Sequence, residues 1–116
     1  MRYKAVLKTI HKTSSWLLVV LGVVHTALTP TFYGRLSPGA LWFAGAGLAM
    51  IFVGFLNIIF ARTAGHDRMP RILCYIANLI TAAFGVLIVL VDNEPQVIFG
   101  MILISLMTVT AFLLRK

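Results

Sequence analysis

Four runs of apolar residues, separated by short polar or proline-bearing pieces, make up most of this 116-residue chain. They extend over about 14–30, 39–61, 72–91 and 97–114. Each is roughly 17 to 23 residues long, against the ~20 that cross ~30 Å of hydrocarbon at ~1.5 Å per residue. In lipid a helix satisfies all its backbone polar groups internally, so each run predicts a membrane-spanning helix. The connections are short. Thr31 to Pro38 carries Gly34 and Pro38 as breakers, Arg62 to Arg71 carries Gly65 and Pro70, and Asp92 to Gln96 is a polar turn with Pro95. Short connections make sequential helices antiparallel, which predicts an all-α, up-down-up-down bundle of four transmembrane helices in a single domain.

Composition agrees with that pattern. The chain is 60% hydrophobic and 11% charged with a mean hydropathy of +0.99, where a soluble domain carries about a quarter charged residues. The net charge of +7 raises the question of nucleic acid, but the basic residues gather at segment ends and not along an aromatic-studded face. They serve orientation instead. Arg2, Lys4, Lys8, Lys12, Arg62, Arg68, Arg71, Arg115 and Lys116 fall on one side and only Arg35 on the other, so the positive-inside rule predicts both termini in the cytoplasm. The expected location is the plasma membrane, or the inner membrane of a bacterium. The basic head and apolar middle of the first run also resemble a signal peptide, but cleavage after Ala27 would put His25 where a small residue is needed, so a retained helix is expected.

Packing faces are marked by small residues, which let backbones approach in lipid. Ala40, Gly47, Gly54 and Ala61 recur every seventh residue in the second run, with Met50 and Asn57 on the same stripe. In the third run Ala77, Thr81 and Gly85 are spaced by four, beside Cys74, Asn78 and Ala82. Such stripes serve either an oligomer interface or packing within the bundle, and packing within the bundle is the expectation. Asn57 and Asn78 stand at similar depths, so the two amides are placed to meet in one interhelical hydrogen bond or to line a polar path.

His25 is the ionisable side chain that falls well inside a run, with Thr26 beside it and Thr29 one turn on. Asp92 approaches the same level if the first and third helices are neighbours. Trp16 and Trp42 lie near helix ends, where an interfacial belt places them, and Trp42 is also a candidate to stack on a ligand. Arg62, Arg68 and Arg71 read as topology anchors and anionic-lipid contacts. His11 and His66 are assigned to the cytoplasmic side, which leaves a single inward imidazole and no pair for a haem within one chain.

No phosphate loop, nucleophile elbow or H-E-x-x-H motif is present, and no His, Cys and carboxylate groups converge in sequence on a metal. No cofactor is predicted. The length and four spans are similar to those of small multidrug exporters and fluoride channels, but the first helix lacks the exporters' membrane carboxylate and the charge bias opposes dual insertion. The expected function is therefore that of a non-enzymatic accessory subunit, interaction partner or regulator, in contact with the bilayer and with a membrane-protein partner or a second copy. The alternatives are a small oligomeric transporter or channel whose polar path is lined by His25, Asn57 and Asn78, and a quinone- or lipid-handling redox accessory using His25 and Trp42.

Overall fold

The computed structural model describes residues 2–63 and 66–114. The predicted turn residue Gly65, and Arg115 and Lys116 from the basic count, lie outside the described residues. Five helices account for nearly all the rest, and there is no strand among the described residues: α1 (Arg2–Ala27), α2 (Thr29–Phe32), α3 (Pro38–Thr63), α4 (Arg68–Val91) and α5 (Pro95–Leu113). Three of them, α3, α4 and α5, are long and apolar enough to cross a membrane. The bundle measures 50 × 24 × 20 Å, so its long axis exceeds the ~30 Å of a hydrocarbon core.

The helix ends follow from local chemistry. Pro38 opens α3 after Ser37, whose hydroxyl accepts the Ala40 N–H at 3.1 Å. Asp67 caps α4 by accepting the Met69 N–H, and Pro95 opens α5 directly after Glu94. The first helix begins at Arg2, well before the apolar run at Ser14. Residues 2–13 contain neither Gly nor Pro, so nothing in them halts a helix; hydropathy marks where a helix is apolar, not where it starts. Its other end is sharper than the run suggests. The chain breaks at Leu28, and Pro30 sits in the first turn of the short α2.

In cross-section the four long helices form a ring in which α1 neighbours α3 and α5, and α4 neighbours α3 and α5. α1 and α4 occupy opposite corners, so Asp92 at the end of α4 is not brought to α1, contrary to the arrangement that would have set it beside His25. Neighbours run antiparallel: Gly54 lies against Ser15, Gly47 against Gly22, and Phe43 against His25. One core cluster consists of Leu18, Leu103, Ile104 and Met107, flanked by Met50, Val53 and Ala82. Nearer the N-terminal end of α1, a second joins Phe60, Cys74 and Ala111.

The α1–α3 seam is the most extensive contact. Gly47 and Gly54, the small-residue stripe of α3, both face α1 of the same chain, and Ala40 and Ala61 are also buried. A Cβ on Gly22 would stand 2.6 Å from the Gly47 carbonyl oxygen, and one on Gly54 would stand 2.5 Å from Val19 and 3.0 Å from the Ser15 carbonyl. Backbone cannot yield to such a contact as a flexible side chain can. Gly85 of α4 faces Met101 of α5, whose thioether is free to swing away. Gly22→Ala should therefore lower stability by about 1–3 kcal/mol through forced separation of α1 and α3. Gly45→Ala, with nothing within 4 Å of the added methyl, should be neutral or slightly stabilising. Unfolding titrations of both variants in a mild detergent check this, and equal effects would dismiss the seam.

Candidate functional site

Toward the N-terminal end of α1, one slab of the bundle holds five polar side chains, drawn from all four long helices. The stripe of α1 that faces inward is Leu7, His11, Ser14, Ser15, Leu18, Val19 and Gly22, a helical repeat that carries His11 into the core with the leucines. His11 is 0% exposed. Its Nδ1 lies 2.7 Å from the Thr110 hydroxyl on α5, and its Nε2 lies 3.2 Å from the Asn57 backbone carbonyl on α3. This corrects the expectation of a single inward imidazole at His25: a histidine among lysines at one helix end reads as surface, yet its place on the stripe turns it inward.

Asn57 and Asn78 are also fully buried and face each other across α3 and α4. Each amide nitrogen donates to the other's oxygen, at 2.8 and 2.9 Å. The Asn57 nitrogen also donates to Val53 O at 2.8 Å, and its oxygen accepts the Cys74 thiol at 3.1 Å. Both donors and both acceptor positions of Asn57 are thus used. The Asn78 nitrogen reaches Cys74 Sγ at 3.5 Å with its remaining hydrogen.

A proton count defines the histidine. The Asn57 carbonyl can only accept, so Nε2 carries the hydrogen in the neutral ring and Nδ1 accepts from the Thr110 hydroxyl. The hydroxyl has a single hydrogen, so Leu106 O at 2.6 Å competes with Nδ1 for it. Ser15 donates back to His11 O at 2.7 Å. Phe60 closes the layer with its ring centroid 5.3 Å from the imidazole, and Tyr75 follows at 6.1 Å from Phe60.

No protein-family model, curated protein or solved structure matches the chain. The site must be read from its geometry.

At the opposite end His25 stacks on Phe43 with centroids 3.9 Å apart and planes at 17°, and Phe32 and Tyr33 pack against the same Phe43. Thr26 donates to Ala44 O at 3.4 Å. His25 Nε2 and Thr29 Oγ1 are the buried side-chain polar atoms without a partner among the described residues. Trp42 points outward, 80% exposed. The apolar cluster of Leu18, Leu103, Ile104 and Met107 lies between this end and the polar slab, so the structure brings Asn57 and Asn78 together but leaves His25 far from both.

The remaining predicted positions are distributed by role. Ala77 and Thr81 are half-buried along α4, while Arg62 and Arg68 are exposed at the α3–α4 connection and Arg71 is half-buried in the first turns of α4. A second inward histidine does exist, but His11 and His25 are about 21 Å apart along α1, which is too far for one haem. Among the described residues no three of His, Cys, Asp or Glu converge. Sequence reasoning missed His11 and Thr110, and gave Cys74 a place only on the packing face of the third run. The inward repeat Leu7, His11, Ser14, Leu18 was the available signal.

Two outcomes follow from the saturation of this slab. In a double-mutant cycle, Asn57→Leu and Asn78→Leu should be non-additive by about 1 kcal/mol, the double variant being less destabilised than the sum of the singles. Additive costs in detergent unfolding would mean the amides do not act as a pair. Cys74 should resist a maleimide in the folded protein and react on denaturation, since it is 0% exposed; mass spectrometry of the adduct decides.

Proposed function

We propose that this chain is a four-span membrane protein with both termini in the cytoplasm that works as a non-enzymatic accessory subunit or regulator, through its outer helix faces. The single observation that carries the reading is the closure of the polar slab. His11, Asn57 and Asn78 are each 0% exposed, and every side-chain nitrogen and oxygen among them has a partner within the bundle. A substrate or ion path needs polar groups that are free to exchange partners with a guest. These are not.

The fourth span is α1. Its 26 residues are about 39 Å long, and it is packed antiparallel to α3 over that helix's length. The four basic residues in its first three turns lower its mean hydropathy without shortening it. Arg2, Lys4, Lys8, Lys12, Arg62, Arg68 and Arg71 gather at one end of the bundle and Arg35 at the other, which supports the cytoplasmic placement of the termini. A cell membrane is the compartment proposed. The outer surface is apolar: a shallow groove of about 390 Å³ between α4 and α5, lined by Val89, Ile98, Met101, Ile102, Leu106 and Val109 with Ser105, suits an acyl chain or a partner helix.

A second reading is favoured by one observation, the unpartnered His25 Nε2 and Thr29 Oγ1. It makes the Phe43 end a site where a proton or a small polar solute is exchanged in an oligomer. Isolation of tagged protein from its native membrane separates the two. A stoichiometric protein partner, with function unchanged by His25→Ala, is the expected result; a clean homo-oligomer whose activity is lost with His25 would replace the first reading with the second. Orientation is checked in a Cys74→Ser background, where Lys12→Cys and Arg35→Cys should be labelled by an impermeant maleimide from opposite sides.

A further inference from the structure

Around His11 the close polar contacts outnumber the hydrogens available to them. Its Nε2 lies 3.2 Å from the Asn57 carbonyl oxygen, its Nδ1 lies 2.7 Å from the Thr110 hydroxyl oxygen, and that oxygen lies 2.6 Å from Leu106 O. Each contact needs a hydrogen, and a neutral imidazole with one hydroxyl supplies two between them. With the ring hydrogen on Nε2, the hydroxyl serves either Nδ1 or Leu106 O and leaves lone pairs opposed in the other contact. With it on Nδ1, the opposed pair is Nε2 and the Asn57 carbonyl. A second ring proton removes the shortage. Nε2 then donates to Asn57 O, Nδ1 donates to the Thr110 oxygen, and the hydroxyl donates to Leu106 O, with every heavy atom where it stands.

We infer that His11 is a proton-binding site, a buried imidazole whose surroundings fit the doubly protonated ring, and that it takes up its second proton on acidification with the slab still closed. The inference goes beyond the accessory-subunit reading and holds whether or not that reading does. Dipoles meet the added charge. Thr110 stands in the last turn of α5, where a helix C-terminus carries about half a negative charge. Among the described residues no carboxylate bonds the ring. On α1, Lys4, Lys8 and Lys12 are exposed, and on α3 so is Arg62. α4 brings Cys74 and Tyr75, with Arg71 a turn before Cys74, and α5 carries no ionisable side chain from Pro95 to Leu114. At the α3–α4 connection His66 and Asp67 are exposed, and Asp67 is engaged as the cap of α4. Access is short. Phe60, whose ring centroid is 5.3 Å from the imidazole, also lines a cleft of about 320 Å³ at the end of the bundle where α1 begins, so solvent there comes within one ring of His11.

The test uses the full chain in a neutral detergent, with isotopically labelled histidine and nitrogen NMR; the His11 signals are those kept in His25→Gln/His66→Gln. The expected result is one protonated ring nitrogen at about pH 8 and two at about pH 5. Cys74 should stay shielded from dithiodipyridine at both. In Thr110→Val the change should move to lower pH by about one unit, a tenfold weaker hold on the proton, because Nδ1 loses its acceptor. Thr110→Ser should restore the midpoint, and circular dichroism shows that the variants are folded. A ring still neutral at about pH 5 would overturn the site, as would protonation that occurs only as Cys74 becomes reactive. So would a midpoint unchanged in Thr110→Val. Should the valine variant not fold, the acid spectrum and Cys74 reactivity of the unaltered chain decide alone.

Discussion

Burial of His11, Asn57 and Asn78 in one slab is the constraint on which the bundle depends. In hydrocarbon an unpaired amide or imidazole costs several kcal/mol, whereas a rotated apolar helix loses little, because lipid tails are as apolar as leucine. Rotation of any helix about its axis is therefore resisted mainly by these groups. A turn of α1 removes His11 from both Thr110 and the Asn57 carbonyl; a turn of α4 strips Asn57 of its Asn78 partner and Cys74 thiol. The individual bonds are modest, ~0.6 to 2 kcal/mol each in a membrane protein. Their weight lies in the penalty for leaving any one of them open.

Distance is set by a different device. Gly22, Gly47 and Gly54 bring the backbones of α1 and α3 so close that an added methyl meets carbonyl oxygen. That approach lets Nε2 of a short imidazole side chain reach a backbone carbonyl on the facing helix, as His11 does with Asn57. The two devices are therefore coupled. With larger residues along the seam the histidine would not span the gap, and without the histidine the close approach would have less to hold its register.

How much of this was legible in the sequence depended on whether the signal was local. The spacing of Gly47 and Gly54 marks a packing face whatever lies opposite, and equal depth alone places Asn57 beside Asn78 once α3 and α4 form a hairpin. Packing within the bundle was the expectation for the glycine stripe, but which helix lies opposite was not legible, because small residues mark a close approach without naming the neighbour. His11 was concealed by its company: Lys8 and Lys12 flank it, and charge near a terminus is read as surface. Three-dimensional order around the ring was beyond reach for a similar reason. Short connections determine direction but not which helices share a corner, so the expected approach of Asp92 to His25 was lost to the diagonal placement of α1 and α4.

The two ends of the bundle differ in how completely their polar groups are answered. At the His11 end each buried side-chain polar atom among the described residues has a partner; at the Phe43 end His25 Nε2 and Thr29 Oγ1 have none. Each unanswered group carries a desolvation cost of about 1–3 kcal/mol, which local opening would recover by admitting water or a polar guest. The same end has the broken helix at Leu28 and the short α2, whose residues are not buried. Both features fall where α1, α2 and α3 meet. The slab of His11, Asn57, Asn78, Cys74 and Thr110 ties all four long helices together at the other end.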